Sequence, residues 1–238
     1  MPPFKNLLLF LILILGHFVA NSQSLSVGLS VGSSIGKSDF DYTTEVVPNF
    51  RLNHRPGLYW GFNLNYEFKN QMYIEGEISF AQDHIGVLFE TNGVGLESSI
   101  SASNYFQCLR LGFPLISSKR LIGIMGVARY YNSGAAISGI RIEYFDENNE
   151  LVQALYQNPG HGEKDQYFYC QFGLRYKIVN IKRSALSLQL LGQLGLKYDN
   201  YLYYRAYDYG INHAGVLRNK HDLLALSIVY QFAVLRLK

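Results

Sequence analysis

Six charged side chains are the best candidates for chemistry in this chain. Glu67, Glu75 and Glu77 supply acid, and Arg110, Arg175 and Lys177 supply base. Each lies in a segment where apolar and small polar residues alternate, on the polar side of that alternation. In a strand, successive side chains point to opposite faces, so all six share the non-apolar face of their strands. Carboxylates and guanidinium groups gathered there can do one of two things. They can neutralise each other as a structural ion-pair network, or they can line a path for ions or protons. The first reading is favoured, because a buried charge must be paired.

Other constellations are weaker. The histidines His54, His84, His161, His213 and His221 are scattered in or beside predicted loops, with no pair at close ligand spacing, so no metal site is expected. A lipid-modifying hydrolase would need a serine nucleophile, a histidine base and an acid. Ser79, Asp83 and His84 are near one another in sequence, but Ser79 and His84 fall on opposite faces of a strand. No Gly-x-Ser-x-Gly elbow occurs. No enzymatic activity and no cofactor are therefore expected. Nucleotide loops, paired-cysteine zinc motifs and nucleic-acid patches are missing as well. Cys108 and Cys170, the two cysteines, fall on an inward and an outward face of different strands, which disfavours a disulfide. Tyr201, Tyr203, Tyr204, Tyr207 and Tyr209 crowd one segment. Tyrosine is enriched at membrane interfaces and at recognition surfaces, so this segment is read as a girdle continued by a protruding sheet, with an outer recognition surface as the alternative.

The elements that must position these residues are strands. Eight segments alternate with period two: residues 25–35, 58–68, 72–81, 103–115, 121–131, 166–179, 184–198 and 223–237. The second is the clearest, with Leu58, Trp60, Phe62, Leu64, Tyr66 and Phe68 on one face and Tyr59, Gly61, Asn63, Asn65 and Glu67 on the other. The phase of the fifth is ambiguous, and Arg129 within it could share the face of the six charges. A strand crossing lipid needs ~9–11 residues. Short links follow the second, fourth and sixth segments and long links follow the others, as in an outer-membrane barrel with short periplasmic turns and long outer loops. The expected fold is all-β, an antiparallel eight-stranded transmembrane up-and-down β-barrel with long outer loops. A ten-stranded alternative would insert a hairpin at residues 137–156, but the charges Arg141, Glu143, Asp146, Glu147 and Glu150 there oppose it. In a secreted soluble barrel the apolar face would surround a cavity and the exterior would be charged. Here the opposite faces are mostly Gly, Ser, Asn and Gln.

Composition agrees. The chain is rich in Tyr (19), Phe (15) and Gly (22) and only 16% charged, which suits strands with one apolar, aromatic face. Residues 1–22 read as a signal peptide. Lys5 is the positive start, Leu7 to Leu15 the apolar run, and Ala20-Asn21-Ser22 the small residues before cleavage. Residues 23–238 then form one barrel domain. After residue 22 no apolar stretch is long enough for a spanning helix, and the small positive net charge of +3 points to no nucleic acid.

Three motifs carry a family resemblance: YIEGEISFAQDHIG at 73–86, NYFQCLRLGFPLIS at 104–117 and GIMGVARYY at 123–131. Together they resemble the PorT-like, porin-like outer-membrane β-barrel proteins of Bacteroidota. There a strand ending in Ser-aromatic-x-Gln precedes one ending at an aliphatic-Pro-Leu step, and then a glycine-containing strand. Gly112-Phe113-Pro114 departs from the usual charged-aliphatic-Pro step. The resemblance implies a location in the outer membrane and, in one branch, a role in protein secretion and gliding machinery. It assigns no catalytic or binding residue. The expected partners are outer-membrane lipid and envelope or secretion-complex proteins, with the barrel itself a monomer.

Overall fold

A computed structural model describes residues 22–42, 50–91, 94–118, 120–131, 140–145, 147–148, 150–159, 167–195, 200–208 and 211–236. The expected signal peptide, apart from Ser22, and Tyr209 lie outside the described residues.

Twelve strands form one antiparallel sheet. They are β1 (Ser22–Tyr42), β2 (Phe50–Arg55), β3 (Gly57–Phe68), β4 (Tyr73–Thr91), β5 (Val94–Pro114) and β6 (Leu121–Tyr131), followed by β7 (Ile140–Phe145), β8 (Leu151–Pro159), β9 (Tyr167–Ile181), β10 (Ser184–Gly195), β11 (Asn200–Asp208) and β12 (Ile211–Arg236). Eight of them close on themselves in the order β1-β3-β4-β5-β6-β9-β10-β12, with β12 returning to β1. The barrel is therefore eight-stranded. The hairpin that could have made ten strands, β7–β8, is not in the ring. It attaches to β11, which attaches to the upper half of β12.

Alternation explains the ring. Along β3, side chains are buried at Tyr59, Asn63 and Asn65 and exposed at Leu58, Phe62 and Leu64. The same phase runs round the other strands, so Ile78, Leu109, Met125, Phe172, Leu226 and Ile228 all face outward with more than half their surface exposed. The barrel is inverted relative to a soluble protein: its outer face is apolar, and its interior holds buried charged and polar side chains among small and aromatic ones. Short turns close one end. Gln71 (φ 67°) and Lys182 (φ 45°) adopt the left-handed backbone that tight turns require.

Four strands are longer than their apolar alternation. β1 reaches Tyr42, β4 reaches Thr91, β5 begins at Val94 and β12 begins at Ile211. These extensions stand beyond the barrel at the end opposite the short turns. β2 pairs the extension of β4, continuing the line of β3 across Pro56, which has no N–H to give the ladder. β11 continues the line of β10 along β12. β7 and β8 come round to touch β5. The wall thus continues above the barrel as a second tier of strands.

Candidate functional site: the charged barrel interior

The interior begins as a consequence of strand phase. Glu75 and Glu77 on β4, Arg110 on β5 and Arg175 on β9 are all inward and almost completely buried. They converge across the axis. Arg175 holds Glu75 with two parallel bonds, Nη1 to Oε2 and Nη2 to Oε1, both 2.8 Å. Arg110 reaches both acids, with Nη2 2.8 Å from Glu77 Oε1 and Nη1 3.3 Å from Glu75 Oε1. Two acids meet two guanidinium groups, so the cluster carries no net formal charge.

Neutral side chains complete it. Arg175 Nε donates to Gln189 Oε1 and Arg110 Nε donates to Gln171 Oε1, each at 2.8 Å. Tyr59 donates its hydroxyl proton to Glu77 at 2.6 Å, and Ser30 donates to the other oxygen at 3.1 Å. Gln231 reaches Glu75 at 3.4 Å. The Arg175 guanidinium lies over the Tyr73 ring, 5.2 Å from its centroid. Every barrel strand except β6 contributes a polar group, while β6 presents Ile122, Ile124 and Ala128 inward. Tyr73 fits because Gly112 stands opposite. A Cβ at residue 112 would lie 2.1 Å from the ring.

A second ion pair lies toward the short turns. Lys177 Nζ is 3.7 Å from Glu67 Oε1, and both are partly exposed. They line a cavity of about 330 Å³ with Gln71, Ser118, Arg120 and Asn180. In the other direction the charged cluster is capped by aromatic rings. Phe106, Tyr130 and Tyr169 pack with centroids 5.6 to 6.4 Å apart, and Tyr130 donates to Asn104 at 3.3 Å. From the short turns upward, the interior is a half-open ion pair, a buried charge cluster and an aromatic layer.

The structure brings all six sequence-derived charges into this column, four in the cluster and two at its mouth. Arg129 is elsewhere. It shares the outward phase of Met125 and Val127, while Ala128 and Tyr130 point in. Tyr73, Gln189 and Gln231 were not singled out by sequence reasoning. Tyr73 has the phase of Glu75 and Glu77, and that signal was available. Cys108 is buried against Ser79 and Gln171, Cys170 is exposed, and both are free thiols. Ser79 points inward toward Cys108, on the face opposite His84. No group of three or more metal-ligating side chains occurs among the described residues. Tyr201, Tyr203, Tyr204 and Tyr207 lie on β11, in the upper tier.

No protein-family model matches the chain, and no curated protein matches it in sequence. Among solved structures it is similar to the outer membrane protein OprG from Pseudomonas aeruginosa, at 10% identity over 89% of this chain and 97% of that one, with a TM-score of 0.47. It is similar also to AlkL in DMPC lipid bilayers, at 14% identity over 91% and 92% of the two chains and a TM-score of 0.46. A major outer membrane protein from Thermus thermophilus aligns at 10% identity over 87% and 99%, with a TM-score of 0.43.

Proposed function

We propose that the chain is a non-enzymatic outer-membrane β-barrel with a closed lumen, whose upper strands present a surface for binding or envelope assembly. The observation that carries this reading is the inverted barrel: Leu64, Ile78, Leu109, Phe172 and Leu226 outside, Glu75, Arg110 and Arg175 inside. An apolar exterior of this extent on a closed sheet needs a hydrocarbon phase to cover it. Aromatic residues border it as at a membrane interface, with Trp60, Phe80 and Tyr105 in ring contact toward the upper tier and Tyr66 with Phe68 toward the short turns. Residues 1–22 act as the cleaved export signal, and the short turns face the periplasm.

A closed lumen is supported by the column itself. An eight-stranded barrel is only wide enough for side chains to fill it, and here they meet across it. The barrel is then a pedestal, and activity belongs to the upper tier of β2, β7, β8 and β11. The PorT-like resemblance fits this arrangement and suggests an envelope or secretion complex as the partner.

Heat-modifiable gel mobility of the protein extracted from membranes tests the reading. The unboiled chain is expected to migrate as a compact species and to shift on boiling. Recovery in the soluble fraction with unchanged mobility would overturn it. Cross-linking in native outer membranes tests the pedestal. Loss of cross-linked partners on deleting residues 140–159, with the mobility shift kept, is the expected outcome. Identical cross-links from the deleted and intact proteins would refute it.

A further inference from the structure

Among the described residues, the outward face carries a charge with no counterpart and a hole. Arg129 is the charge. It lies on the apolar side of β6, its Nε is buried without a hydrogen-bond partner, and no ion pair with it occurs among the described residues. Its register neighbours are Gln107 on β5 and Phe168 on β9, both exposed. Gly76 is the hole. Around it the wall carries Phe62, Leu64 and Ile78, yet a Cβ at residue 76 would meet nothing within 4 Å. The result is an outward-facing groove of about 460 Å³, and Gln107 is part of its lining. Gln107 therefore joins the two features, paired with Ile78 on the groove side and with Arg129 on the other.

We infer that this patch is a binding site for one anionic, phosphate-bearing lipid of the surrounding membrane, its acyl chain in the Gly76 groove and its phosphate on Arg129. The inference rests on the outer-membrane reading above. A guanidinium directed at hydrocarbon is unfavourable unless it reaches the headgroup layer or an anion. Arg129 pairs directly with Gln107, the next residue after Tyr105 on the outward face of β5, at the side of the belt where Trp60, Phe80 and Tyr105 cluster. It thus lies near the headgroups of the leaflet facing the upper tier. Guanidinium geometry matches phosphate oxygens. The groove, unlike the wall around it, has room for a chain, and a void there forfeits dispersion contacts that an acyl chain restores. Gln107 supplies an amide to the ester region between them.

Native mass spectrometry of the folded full-length barrel in non-ionic detergent tests this. Phosphatidylglycerol and phosphatidylcholine of identical acyl chains are added in equal amounts. The wild type is expected to retain one phosphatidylglycerol about tenfold over phosphatidylcholine. Arg129→Gln should abolish the preference and Arg129→Lys should keep part of it. Gly76→Leu should reduce retention of both lipids by filling the groove. Arg55→Gln, which breaks the exposed upper-tier pair with Glu97, should leave the retention of both lipids as in the wild type. Equal retention of the two lipids by the wild type, or an undiminished preference in Arg129→Gln, would overturn the site. Either result from a barrel that still shifts on boiling leaves the membrane reading intact. A chain that shows no shift refutes that reading instead.

Discussion

Glu75 is fully buried in the barrel interior, where it accepts from two arginines and a glutamine. Removing it strands two guanidinium groups. Glu75→Leu is therefore expected to destabilise the barrel by about 3–5 kcal/mol, read as a lower urea midpoint for loss of the compact gel species. Adding Arg175→Leu removes one of the stranded charges, so the double variant should recover part of that loss. A double variant whose loss equals the sum of the two single losses would show that Glu75 and Arg175 are not coupled. Gly112 makes a steric prediction at the same scale. Its missing Cβ leaves space for Tyr73, so Gly112→Val should cost roughly 1–3 kcal/mol through overpacking. Tyr73→Ala in the same chain should relieve most of the clash, and the two midpoints compared would show whether it does.

The strands were legible in the sequence wherever their two faces differ in chemistry. β3 sets Phe62 and Leu64 against Asn63 and Asn65, and its predicted span differs from the observed Gly57–Phe68 by one residue. β6 has Ile122 and Ile124 inside and Met125 and Val127 outside. Both faces are apolar there, so period two carries no contrast, and the position of Arg129 could not be read. The upper halves of β4, β5 and β12 were missed for a related reason: they lie beyond the apolar belt, where no single face has to be hydrophobic. The six charges could be read because each stands opposite an apolar face, but their partners Gln189 and Gln231 look like any other polar inward residue. Turn chemistry gives a test at this scale. Lys182 sits at φ 45° in a two-residue turn, a conformation that β-branched residues strongly disfavour. Lys182→Val should cost on the order of 1–2 kcal/mol, whereas Lys182→Gly should be close to neutral in the same urea titration.

For the whole molecule, an interior filled from Tyr73 to Tyr169 and a predominantly apolar exterior predict a membrane protein without conductance. Reconstituted into planar bilayers, the wild type should give no stepwise currents above the bare membrane. Steady ion-selective openings would contradict the closed lumen. The seam has a further consequence, one of time. Ser24 pairs with Arg236, and the register continues through to Tyr42 with Gly215. The ring closes by joining its first strand to its last, so nearly the whole chain lies between the two partners. The loop-closure entropy of that joint comes due before its ladder rewards it. Until β12 arrives, β1 and β10 each offer an unpaired edge to any other chain in the compartment. How long those two edges stay open is therefore set by how quickly β12 reaches β1, the step that turns a sheet with two ends into a ring with none.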